Sequence, residues 1–170
     1  MIILGIDPGT ETAGYGLLES NGTRHLFLDC GAIRLPSRRS LPDRLAFLAE
    51  KVRKILADHP VEALALEDLF FAVNVKSALR LAHARGVVML CASERGVPVF
   101  EYSPLEVKKS VTGYGRAEKQ QVQEMVRIIL KLEQAPSPFD AADALAVAIC
   151  HAQNQSTRQA ILAARQEGER

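Results

Sequence analysis

The chain is short of three things whose abundance would announce a class of protein. Cysteine is scarce and odd in number: Cys30, Cys91 and Cys150 are the only three among 170 residues, they sit in apolar surroundings, and no two form a CxxC pair. That excludes the disulfide framework of a secreted domain and a zinc knuckle, and it points to a reducing cytoplasm. Excess charge is also missing, since 21 Lys and Arg against 20 Asp and Glu leave a net charge of +1. The overall balance therefore lacks the basic surplus that would by itself announce a nucleic-acid partner. Long apolar runs are absent too: the stretch from Met1 to Ile6 is broken at Asp7 and has neither a basic flank nor a small-residue cleavage site. It reads as neither a signal peptide nor a membrane span, and a soluble, unexported protein is expected.

What is present is a 48 % hydrophobic content, enough for one self-sufficient core. No repeat, low-complexity segment or second domain interrupts it. The expectation is one domain over residues 1–153, followed by a polar tail over 154–170 that frays.

The order of patterns indicates the architecture. The run IILGI ends at Asp7-Pro8-Gly9-Thr10, as a strand buried on both faces and stopped by a turn would. Residues 13–19 and 25–35 are strand-like and are joined by Asn21-Gly22, a hairpin dipeptide that accepts positive φ. After Pro36 the period changes. Ser40, or Leu41 with Pro42 in the first turn, opens a helix carrying Leu45, Leu48, Val52, Ile55 and Leu56 on one face. A strand follows over 63–67, then a helix over 75–94, a strand around 97–102, and helices near 103–110, 117–132 and 138–153. This order predicts an α/β fold: a mixed five-stranded sheet, three antiparallel strands plus parallel crossovers, flanked by helices. Right-handed crossover places the strand at 63–67 parallel to the first. If the two pair, Asp7 and Glu67 stand side by side where both end.

Two more acids belong with them. Asp140 and Asp143 are three residues apart in the otherwise apolar segment FDAADALAVAIC, so they share one helical face. Taken singly, each acid has an ordinary explanation as turn former, helix-dipole partner or solvated residue. As a set they repel one another unless a cation neutralises them, and hard oxygen ligands suit Mg²⁺ or Mn²⁺. Two such ions about 3.5–4 Å apart can activate a water and stabilise the leaving oxygen of a phosphodiester.

Basic residues are segregated despite the neutral total. Residues 72–95 hold Lys76, Arg80, Arg85 and Arg95 against Glu94; residues 102–131 hold Lys108, Lys109, Arg116, Lys119, Arg127 and Lys131 against Glu106, Glu118 and Glu124. A solvated helix face gives the same pattern, and so does a surface that tracks phosphates beside an acidic centre. Gly113-Tyr114-Gly115 reads as a mobile loop with an aromatic tip. Phe70 and Phe71 follow Glu67; both are core residues by default, and one of them exposed would stack on an unpaired base. The helix over 75–94 is apolar on more than one side, as a helix buried between the sheet and a second copy of itself would be. Its Gly86 permits close backbone approach. His25, His59, His83 and His151 show no ligand spacing.

Several of these segments together, GIDPGT at 5–10, ALALED with FFAVN, SALRLAHARGV at 77–87, YSPLEVKK at 102–109, GYGRAEKQQVQ at 113–123 and DAADALAVAI at 140–149, resemble the RuvC family of Holliday junction resolvases in the ribonuclease H-like superfamily. The resemblance runs from Ile3 to about Gln153. It implies a metal-dependent endodeoxyribonuclease of recombination and DNA repair, with two Mg²⁺ or Mn²⁺ ions per site, acting as a homodimer that nicks a four-way junction symmetrically. By the same resemblance Asp7, Glu67, Asp140 and Asp143 are the metal ligands, although some relatives place histidine where Asp140 stands. Lys119 lies near the reacting phosphate, either stabilising charge or supplying a proton. Lys108 and Phe70 contact DNA, with Lys76, Arg80, Lys109 and Arg116 as further DNA-binding candidates. The branch-migration motor of the RuvA and RuvB type is the implied partner. Asp7-Pro8-Gly9-Thr10 also resembles the phosphate loop of actin-like ATPases and sugar kinases, which enclose a nucleotide between two such domains where this chain carries one. A non-catalytic junction-binding module is the remaining alternative.

Overall fold

Alternation along the first strand decides the layering. The structure, a computed structural model, describes residues 1–68 and 75–168. In β1 (Ile2–Asp7) the even positions Leu4 and Ile6 face one apolar cluster and the odd position Ile3 faces another, so β1 is covered on both sides. It pairs antiparallel with β2 (Thr12–Ser20), which pairs antiparallel with β3 (His25–Arg34). On its other side β1 pairs in parallel with β4 (Ala63–Glu67), and β4 with β5 (Val99–Tyr102). The sheet order β3-β2-β1-β4-β5 is the mixed five-stranded arrangement expected from the sequence.

Two helices cover the face that Leu4 and Ile6 point into. The first, α1 (Leu41–Asp58), is capped by Ser40, whose hydroxyl accepts from the Asp43 backbone N–H. The second, α2 (Val75–Glu94), buries Ala84, Val88, Cys91 and Ala92. Three helices cover the other face. The first of them, α3 (Pro104–Thr112), opens on a capping box between Ser103 and Glu106; α4 (Lys119–Ile129) and α5 (Phe139–Gly168) complete the layer. The helix expected to stop near 153 thus runs on to Gly168. Asn21-Gly22 is used in a longer hairpin loop than a two-residue turn: Asn21 Oδ1 accepts from the Thr23 and Arg24 backbone N–H groups while Gly22 takes φ 95°.

Helix α5 lies on bare main chain. Gly5, Gly14 and Gly16 point to the same face as Ile3 and Leu18, and in the ladder Gly5 stands opposite Gly16 and Asp7 opposite Gly14. A Cβ at Gly5 would come within 2.1 Å of the Ala144 carbonyl oxygen, and one at Gly14 within 1.9 Å of the Asp140 carbonyl oxygen. Gly5 is met by Ala144 and Ala148, which are fully buried, and Gly16 by Leu145. Since the nearest obstructing atoms at Gly5 and Gly14 are backbone, no rotamer change relieves the clash. Gly5→Ala is therefore expected to cost about 3 kcal/mol or more, read as a lowered midpoint in chemical denaturation; an unchanged midpoint would mean that α5 does not approach this closely.

Candidate active site

Strand parity aims the acids. Asp7 shares its side of β1 with Ile3 and Gly5, and Glu67 shares its side of β4 with Ala65, so both carboxylates emerge toward α5. The ladder runs as far as Ile6 opposite Leu66, which leaves Asp7 and Glu67 as neighbours one step further on. Above them stands the first turn and a half of α5, carrying Asp140 and Asp143 over the space that Gly14 leaves open. Lys119, the first residue of α4, reaches across so that its ammonium donates to Asp143 Oδ2 at 3.0 Å. Four acids and one lysine, drawn from four separate parts of the sequence, meet at one point.

The electrostatics of that point are unfavourable as it stands. Burial, reinforced by the Asp143 carboxylate, pushes the Asp7 carboxyl up to about 6 from an ordinary 3.8, and Glu67 hydrogen-bonds to it. Burial, then the neighbouring Asp7 charge, pushes Glu67 up to about 7 from an ordinary 4.5. Lys119 opposes both shifts, and its own pKa is raised first by the hydrogen bond to Asp143, so the ammonium is charged at neutral pH. The cluster consists of hard oxygen donors short of positive charge, which is the chemistry that Mg²⁺ or Mn²⁺ satisfies. Among the described residues no three His, Cys, Asp or Glu side chains form a ready-made cage for an ion. The donor set fits such an ion in kind, and the side chains must close in to hold one.

The flanking residues are distributed unevenly. Arg80 borders a small cleft with Gly9 and Thr10, the loop that follows Asp7. Lys76 is exposed near the start of α2, and Arg116 is exposed three residues before Lys119. Lys108 is half-buried on α3. Lys109 instead borders a cleft with Glu106 and Asn154, and Asn154 lies about 16 Å along α5 from Asp143. Phe70 and Phe71 lie outside the described residues. The Gly113-Tyr114-Gly115 loop is fastened rather than loose: Gly113 has φ 75° and donates to the Lys109 carbonyl, Thr112 Oγ1 donates to the Tyr114 carbonyl, and the Tyr114 N–H donates back to Thr112 Oγ1.

Two arginines support the site from behind. Arg44 on α1 donates to the Thr10 carbonyl and so holds the loop after Asp7. Arg85 is 6 % exposed and donates to the Glu67 carbonyl, to Asp68 Oδ1 at 3.3 Å and to Glu101 Oε2 at 2.9 Å. A signal for Arg85 existed, namely a lone cation among the inward-facing positions of an apolar helix.

Carboxylates of a first and a fourth strand joined by acids from a covering helix make this a nuclease-type site on a ribonuclease H-like fold. A family profile described as crossover junction endodeoxyribonuclease RuvC matches residues 3–151. Relatives of that name from Alkaliphilus oremlandii (50 % identical over 152 residues, 89 % of this chain and 93 % of the relative) and Heliobacterium modesticaldum (52 % over 150 residues, 88 % and 93 %) match nearly end to end. Among solved structures, Thermus thermophilus RuvC superposes with a TM-score of 0.84 at 35 % identity over 92 % of this chain and 96 % of that one. The same protein in complex with its Holliday junction substrate gives 0.87 at 34 %, with the same coverage. The chain belongs to the RuvC family.

The charge crowding makes a prediction in metal-free buffer. A carboxyl whose folded pKa is raised stabilises the fold fully below its ordinary pKa and loses that contribution as pH rises through the folded value. For Asp7 and Glu67 this window runs from about pH 4 to about pH 7. With EDTA present, wild type should lose stability across that window; Asp7→Asn should flatten the profile and melt roughly 4–8 °C higher at pH 7.5, read by calorimetry.

Proposed function

We propose that the chain is a structure-specific endonuclease that resolves four-way DNA junctions by hydrolysing phosphodiesters, as a homodimer making symmetric nicks in recombination and repair. The convergence of Asp7, Glu67, Asp140 and Asp143 at two strand ends, in a chain of this family, carries the reading. These four would hold divalent cations, two Mg²⁺ or Mn²⁺ per site. When bound, such ions neutralise phosphate charge, make a water nucleophilic at neutral pH and stabilise the leaving oxygen. Lys119 is held charged by Asp143, so it suits electrostatic stabilisation of the phosphate better than donation of a proton. The raised Asp7 and Glu67 carboxyls must shed the proton they retain near neutrality before their oxygens can serve as ligands.

Lys76, Arg80, Lys108, Lys109 and Arg116, with Lys119, would carry the DNA backbone past this centre. Phe70 would stack within the junction; that role follows from the family. The same source supports partnership with a branch-migration motor of the RuvA and RuvB type and residence in the cytoplasm. No helix among the described residues is long and apolar enough to cross a membrane.

Dimerisation has support in the fold. The outer face of α2 presents Val75, Leu79, Ala82, Gly86 and Leu90 at steps of three and four, with Val75 74 %, Leu79 57 % and Leu90 54 % exposed. A Cβ at Gly86 would meet nothing within 4 Å. This apolar seam with small residues at its middle suits a second α2 packed across a two-fold axis.

On a synthetic four-way junction with Mg²⁺, wild type should give paired nicks that a linear duplex does not. Asp7→Asn should bind the junction without cutting it, and Lys119→Ala should slow cutting roughly 10²- to 10³-fold. Cleavage by Asp7→Asn at the wild-type rate would refute the assignment. Separately, Leu90→Lys should convert the dimer to a folded monomer in sedimentation, whereas a dimer of unchanged stability would place the subunit contact elsewhere.

A further inference from the structure

Glu67 ends an edge-proximal strand with no ladder partner beyond it on the β1 side, and a carboxylate in that position needs its main chain fixed if its oxygens are to meet an ion. On the β5 side Glu67 stands opposite Tyr102 and the Asp68 N–H donates to the Tyr102 carbonyl at 2.7 Å; the side chain that adds a hold on the Glu67 carbonyl is Arg85. Its side chain is 7 % exposed, and the planar guanidinium reaches three acceptors from α2: the Glu67 carbonyl through Nη1, and Asp68 Oδ1 and Glu101 Oε2 through Nη2. The last of these lies on β5, so one fork ties the end of β4 to the neighbouring strand and to the helix behind both. The bond goes to the peptide of Glu67, not to its carboxylate, so Arg85 sets the position of that residue without neutralising it.

A buried arginine is a costly way to fill space between a helix and a sheet, where an apolar side chain would pack at least as well. What an apolar side chain cannot do is hold three acceptors in one plane. The other side of α2 carries the seam of Leu79, Gly86 and Leu90 assigned above to the partner subunit. We propose that Arg85 is a positioning residue of the active site, which locks Glu67 to the subunit-pairing helix and thereby sets the affinity of the carboxylate cluster for divalent cation. This inference rests on the functional reading given above, and it adds a route by which the dimer contact reaches each site.

The test compares full-length wild type, Arg85→Gln, Arg85→Lys and Glu101→Gln. Three quantities are read: sedimentation, junction binding in EDTA, and half-saturating Mg²⁺ measured twice, by thermal shift without DNA and by single-turnover junction cleavage. Arg85→Gln is expected to stay dimeric and bind the junction within about two-fold of wild type, while half-saturating Mg²⁺ rises roughly ten-fold or more in both assays. Arg85→Lys, which keeps the charge and loses the fork, should recover only part of this, and Glu101→Gln should show a smaller rise of about three-fold. Unchanged Mg²⁺ half-saturation in Arg85→Gln overturns the proposal. So does a loss of cleavage matched by equal losses of dimer and junction binding, because a merely structural role predicts that. Should Arg85→Gln fail to fold, Glu101→Gln decides, and an unchanged Mg²⁺ dependence there overturns it. Wild type that fails to nick the junction refutes the functional reading instead, while the thermal shift still decides the role of Arg85.

Discussion

Everything at the site depends on how near α5 comes to the sheet. Side chains of ordinary size on β1 and β2 would hold a covering helix about 10 Å from the strands, and Asp140 and Asp143 would then hang above Asp7 without engaging it. Glycine at positions 5, 14 and 16, met by Ala144 and Ala148, by Asp140 and by Leu145 respectively, removes that spacing layer. The acids at the head of α5 then come within electrostatic reach of those at the strand ends. Gly5 and Gly14 make the arrangement intolerant, because the nearest atoms a Cβ there would strike are carbonyl oxygens of the helix backbone.

Close approach creates the opposite difficulty in charge. Burial first, and then the neighbouring carboxylate charges, raise the pKa values of Asp7 and Glu67, and one lysine offsets only part of this. Such a cluster costs stability unless a cation offsets its charge. A site of that kind is prepared for cations in the sense that their arrival removes an existing penalty.

Much of this was legible in the sequence because it depends on apolar runs and on a period of three to four. Asp7 and Glu67 each close an apolar run, which places them at strand ends; which face they take is not legible there, because a run buried on both faces shows no alternation. Spacing put Asp140 and Asp143 on one side of a helix. What remained hidden depends on partners remote in sequence: Arg85 reads as one more cation until the Glu67 carbonyl is seen beside it, and Arg44 likewise until Thr10 is. The tail shows a different limit, because polar composition after Gln153 argues for fraying while the α5 backbone continues helical to Gly168. The loop around Tyr114 shows a third. Its glycines suggest mobility, but they supply the left-handed turn at Gly113 and the close contact of Gly115 with Leu105, while Thr112 ties the loop down.

A net charge of +1 is compatible with a polyanionic partner once the placement of charge is considered. Long-range attraction between exposed charges fades over about 8–10 Å at physiological ionic strength, so DNA responds to the local surface rather than to the total. Lys119 and Arg116 lie at the N-terminal end of α4 and Arg80 beside the loop after Asp7, so cations border the carboxylates on two sides. On the proposed reading the cationic rim would draw a phosphate in, and the acidic centre would repel that same phosphate until cations fill it. On the proposed reading, binding and cutting are thereby separated in one small surface: the rim needs no metal to hold DNA, and the centre cannot accept the scissile phosphate without it. A more strongly basic chain would gain affinity for any duplex and weaken that separation, so near-neutrality favours an enzyme that must choose among DNA shapes over one that must only hold on.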